Sequence, residues 1–223
     1  MPENYLPKRT IRVELSENVT ENSMRPTQQP GTSEHSIDVK TKCQALVLNV
    51  PFEKIQKVTV KLISSDLPDR VFYQLSGRQL QMILQERYAP LADSIYQFAT
   101  IPFALVGNLF LNDDNYLEVN ISLHEDYDLK YDRIISAQVA QNPLTAKNYD
   151  ADLTEFESSH FDEMFFTEDQ FADIRFHYNG NLVTLPQILY KNTAAINGFA
   201  SQKLIPNTTY TLSQAVPFLL VEY

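Results

Sequence analysis

Four histidines, His35, His124, His160 and His177, are the side chains best suited to proton transfer near neutral pH or to metal ligation. No two of them stand at the spacing of a zinc site, and Cys43, the single cysteine, can supply neither a thiolate pair nor an internal disulfide. His160 lies near Glu157, Asp162 and Glu163 and reads as part of a charged, solvated loop. His177 alternates with Phe176 and Tyr178 and reads as the outward residue of a strand. There is no GxSxG elbow, no HExxH pair and no phosphate-binding glycine loop, and the chain has only 5 glycines with which to build one. Its 28 acidic residues offer no pair that stands out as a glycosidase dyad. Asn112, Asp113, Asp114 and Asn115 form one oxygen-rich run of the kind a hard cation such as Ca²⁺ takes. The run lacks EF-hand spacing, and the same residues favour a hairpin turn for backbone reasons. No residue is expected to be catalytic, and no cofactor is expected.

The elements that carry these residues are mostly strands. The chain has 223 residues, 43% of them hydrophobic, with 12 Tyr, 13 Phe and no Trp, a composition suited to pleated surfaces. The net charge of −10 opposes the phosphate contacts that direct nucleic-acid binding depends on. No apolar run approaches the roughly 20 residues a membrane helix needs, and the amino terminus shows no secretory pattern. With the lone cysteine, this fits synthesis in a reducing cytosol.

Residues 1–40 read as an arm. Ile11, Val13 and Leu15 alternate with Arg12 and Glu14 as one strand, and the polar stretch 16–36, with Pro26, Pro30 and Gly31, reads as a long loop. Strands are predicted at 44–50, 58–62, 71–73, 94–103, 108–111, 117–123 and 134–139, with a short helix from Gly77 to Tyr88 stopped by Pro90. Residues 141–160 read as a polar connector, with short helices around Leu153 to Glu157. Strand signals resume at 164–166, 174–178, 181–184, 209–212 and 218–223, and a helix is predicted from Pro186 through Ile188 and Leu189.

The two halves repeat one order of signals: strand, strand, hairpin, short helix, further strands. Ala45 to Val50, then Val58 to Leu62, then the helix with Leu80, Ile83 and Leu84 form the first set. Met164 to Phe166, then Ile174 to Tyr178, the Asn179-Gly180 turn, and Leu185, Ile188, Leu189 and Tyr190 form the second. On these stretches, and on the closing run Phe218 to Tyr223, the chain resembles the double jelly-roll major capsid proteins of tailless icosahedral phages with an internal membrane, the corticovirus type being nearest in size.

The resemblance implies an all-β double jelly roll with short helices between strands: an arm at 1–40, a first roll at 41–145 and a second at 146–223. It implies a structural virion protein, made in the host cytoplasm, that forms homotrimeric capsomers and meets neighbouring capsomers in an icosahedral shell. Other capsid or membrane-associated virion proteins are further expected partners. The slightly basic arm, with Lys8, Arg9 and Arg12, is a possible membrane contact. A jelly roll needs eight strands, and residues 161–223 supply about five signals, so either the second roll is incomplete, or the strand Ile11 to Leu15 completes a sheet, or the chain is one roll with an appendage. The competing readings are a β-sandwich spike or carbohydrate-binding module, a minor capsid or vertex protein, and, last, a hydrolase on a β-sandwich.

Overall fold

The computed structural model describes residues 32–40, 42–87, 99–104, 109, 111, 114–134 and 142–223. In chain order the elements are β1 (Thr32–Val39), β2 (Ala45–Leu48), β3 (Ile55–Ser64), β4 (Arg70–Leu75), α1 (Gly77–Arg87), β5 (Thr100–Pro102), β6 (Asn115–Tyr127) and β7 (Tyr131–Ile134). They continue as β8 (Thr145–Tyr149), β9 (Glu155–Glu157), β10 (Glu163–Phe166), β11 (Ile174–Tyr178), β12 (Asn181–Leu185), α2 (Gln187–Asn197), β13 (Ala200–Lys203), β14 (Thr209–Leu212) and β15 (Phe218–Glu222).

The second half is an eight-stranded jelly roll. Its sheets run β13-β10-β15-β8 and β12-β11-β14-β9, all neighbours antiparallel. The chain changes sheet at every step except the β11–β12 hairpin, which is the Greek-key winding of this fold. Met164, Phe166, Phe218 and Leu220 of one sheet meet Ile174, Phe176, Tyr210 and Leu212 of the other in one core. The hairpin closes on Asn179 (φ 49°) and Gly180 (φ 78°), the two positive-φ positions that an Asn-Gly turn supplies at little cost.

The first half repeats the winding. Its sheets run β1-β6-β3-β4 and β5-β2-β7. Setting β1 against β9 and moving forward pairs β2 with β10, β3 with β11, β4 with β12, α1 with α2, β5 with β13, β6 with β14 and β7 with β15, and every sheet neighbour is preserved. Alternation places His35, Ile37 and Val39 of β1, Val58 and Val60 of β3, and Leu117, Val119, Ile121 and Leu123 of β6 inside. Helix α1 starts with a reciprocal capping box: Gln79 N–H donates to Ser76 Oγ (3.3 Å), and Ser76 N–H donates to Gln79 Oε1 (2.9 Å). A Cβ on Gly77 would stand 1.9 Å from Phe52 O, so only glycine lets the helix start this close to the loop before β3.

Three expectations are corrected. The second roll is complete, because its first two strands lie in the stretch read as a connector. β9 (Glu155–Glu157) takes the place expected to be helical; it buries only Phe156, between two exposed glutamates, too short a pattern to read as a strand. The division between the rolls consequently falls before Thr145. The arm is shorter than 1–40: residues 32–39 form β1, a full member of the first roll, whose buried His35 disguised the alternation. The strand expected at Ile11 to Leu15 lies outside the described residues.

Candidate functional site

The features with most functional content are the surfaces by which one roll meets another. In sheet β13-β10-β15-β8 the central strands β10 and β15 carry apolar side chains on both faces. While Met164, Phe166, Phe218 and Leu220 fill the second roll, Phe165, Leu219 and Val221 join the hydrophobic cluster of the first, together with Leu144 and Phe199. Phe165, Leu219 and Val221 are each 0% exposed. Unbroken apolar runs mark strands buried on both sides, which is why Met164-Phe165-Phe166 and Phe218-Leu219-Leu220-Val221 do not alternate. That signal was present in the sequence; it was read as strand content rather than as an interface.

Polar contacts fix the register of this seam. Gln79 Nε2 of α1 donates to Asn148 Oδ1 of β8 (2.6 Å), and Asn148 Nδ2 donates to the Gln74 carbonyl of β4 (2.7 Å). Arg78 lies 3.5 Å from Asp169, in the loop after β10, and Leu144 N–H donates to the Phe103 carbonyl (2.8 Å). Sequence reasoning found none of these four side-chain partners, because nothing in their local pattern separates them from ordinary surface polar residues.

Beside the seam runs an open groove of about 770 Å³, lined by β1, β3, β4, α1, β6 and β8 through residues such as Glu34, Lys57, Gln74, Gln79, Lys147 and Asn148. Its one aromatic lining residue, Tyr73, is 1% exposed and donates its hydroxyl to the Pro102 carbonyl (2.8 Å), so it offers no ring face for stacking a sugar.

The histidines are scattered. His124 and His177 are exposed on β6 and β11. His160 stacks on Phe161, with ring centroids 4.4 Å apart, and its Nε2 lies 3.7 Å from Glu222 Oε2. Thr145 Oγ1 donates to the same Glu222 oxygen (2.7 Å). Glu163, fully buried, accepts from Lys203 Nζ and from the Tyr223 hydroxyl. These contacts tie the ends of β8, β10, β13 and β15 together. His35 is buried in the first roll. Burial holds its pKa below the ordinary imidazole value, against an opposing pull from the Thr32 backbone, Glu34 and Asp128.

Of the candidate cation residues, Asn112 and Asp113 lie outside the described residues. Asp114 and Asn115 form the turn into β6, where the Asp114 carbonyl accepts from Ser65 N–H (3.1 Å). Among the described residues, no group of three or more His, Cys, Asp or Glu side chains is placed to hold a metal. No described helix is long and apolar enough to cross a membrane.

No family model matches the chain, and no curated protein matches its sequence. Among solved structures, the "Crystal Structure of the STIV MCP" aligns with a TM-score of 0.46 and 8% identity, covering 88% of this chain and 94% of that one.

Proposed function

We propose that the protein is a capsid subunit that assembles as a trimer, each copy contributing two jelly rolls to a six-barrel capsomer. The observation that carries this reading is internal: two rolls of one winding stand side by side across a dry, apolar seam. A subunit that already packs roll against roll has the surface chemistry to continue the pattern between chains, and cyclic closure is the usual form of such contacts. Fold alone does not assign function. The weight therefore rests on the seam. The sequence pattern at 45–88 and 164–190 supports the finer placement among capsids of membrane-containing phages. The acidic charge favours protein neighbours over nucleic acid.

Sedimentation velocity of the full chain tests the main proposal. Trimers at micromolar concentration support it, and a monomer that does not associate at any concentration overturns it.

A further inference from the structure

The second roll carries an exposed apolar face whose counterpart in the first roll is already occupied. β4 and β12 end at Leu75 and Leu185, and each leads directly into its helix. Counting forward from these residues pairs Arg78 with Ile188, Gln79 with Leu189, and Leu80 with Tyr190. The last pair confirms the alignment: Leu80 (0% exposed) and Tyr190 (4%) are the buried anchors of their helices. Counting back crosses the β-bulge of β4, and by register Leu182, the partner of His177, matches Val71, the partner of Lys61, which lines the groove beside the seam and is 53% exposed. Arg78 and Gln79 are the α1 side chains that reach Asp169 and Asn148 across the seam. In the second roll the positions matching Arg78 and Gln79 are apolar and open: Ile188 is 53% exposed and Leu189 49%, and Leu182 is 61% exposed.

Local capping agrees with this division of labour. Gln79 serves both the capping box and the seam. Leu189 cannot cap, and Asp173 does so instead, accepting from Gln187 N–H (2.8 Å). The leucine is thus released from any role inside its own roll. Large apolar side chains grouped on one helix and the adjoining strand mark an interaction site.

We propose that Leu182, Ile188 and Leu189 dock on the first roll of a second copy of this chain, repeating between molecules the contact that α1 and β4 make with the second roll within one. The occupant follows from continuity with the intrachain seam. The first roll presents, on sheet β5-β2-β7, the counterpart of the sheet that α1 and β4 already meet; outward-facing Val47 stands where Phe165 stands in the second roll. Such a contact joins unlike surfaces head to tail and closes a ring when its rotation is a whole fraction of a turn, whereas a self-complementary contact would stop at a dimer. The inference rests on the trimer proposal and adds the surface that makes it.

The experiment compares the full-length chain with Ile188→Glu/Leu189→Glu, and separately with Ile188→Cys, by sedimentation velocity and non-reducing electrophoresis. Both side chains are half exposed, so the glutamate variant should fold with an unchanged circular dichroism spectrum. It should sediment as monomer where the parent chain is a trimer, with association weakened at least tenfold. Ile188→Cys should form trimers without a disulfide-linked dimer, because head-to-tail contacts keep the two cysteines apart. A folded glutamate variant that remains trimeric, or a disulfide-linked Ile188→Cys dimer, overturns the proposed surface and leaves the trimer standing. A parent chain that is itself monomeric overturns the trimer instead.

Discussion

Gln79 and Asn148 join the two rolls by a single amide–amide hydrogen bond of 2.6 Å, and Gln79 closes the α1 capping box with the other end of the same side chain. Helix start and roll-to-roll register are therefore set by one residue. The bond is exposed, however, and the adjoining face of Phe165, Leu219 and Val221 is not. The apolar face should thus dominate the energy of the seam, and the amides its alignment.

Two substitutions separate these contributions. Asn148→Ala removes an exposed hydrogen bond pair and should cost about 0.5–1.5 kcal/mol. Phe165→Ala empties a site buried between the rolls and should cost about 3–5 kcal/mol. Urea unfolding of both variants gives the comparison. Equal costs would mean that the seam is held by its polar rim.

Gly77→Ala should destabilise the first roll. The added methyl meets Phe52 backbone oxygen at 1.9 Å, so the loop before β3 or the start of α1 must move. A loss of about 1–3 kcal/mol is expected, by analogy with overpacked cores. Thermal unfolding measures it, and an unchanged midpoint would show that this loop yields freely.

His35 makes the first roll sensitive to acid. Burial lowers its folded pKa below the ordinary 6.5, so below that pH the unfolded chain binds a proton that the folded chain resists. The stability associated with neutral His35 is complete above pH 6.5 and falls as pH drops toward the folded pKa. His35→Leu should flatten the stability profile below pH 6.5 relative to the parent chain. Parallel profiles for the two proteins would show that His35 takes up its proton without penalty.

The fold was legible wherever one face of a strand is wet. Val58-Thr59-Val60-Lys61-Leu62 and Leu117 to Leu123 alternate because β3 and β6 turn one side to the core and the other to water. Asn179-Gly180 and the Pro186 entry to α2 were equally plain, since backbone geometry demands those residue types. β8 and β9 were hidden because their sequences, Thr-Ala-Lys-Asn-Tyr and Glu-Phe-Glu, carry few apolar residues, and their strand pairing comes from β15 and β14. The seam was half visible. Its apolar runs stand out in the sequence, but which roll they face depends on long-range packing, and Asn148 and Asp169 acquire their roles only when the rolls are set together. The outward position of Ile188 and Leu189 was likewise invisible, because a helix with apolar residues in its first turn reads as a core helix until Tyr190 is found to be its buried anchor.

Electron microscopy of the purified full-length chain tests the central claim most directly. The account predicts a trimer seen end-on as six similar lobes around a centre, and closed shells built from such units at high concentration. A field of single two-lobed particles that neither associate nor assemble under any solution condition would contradict it.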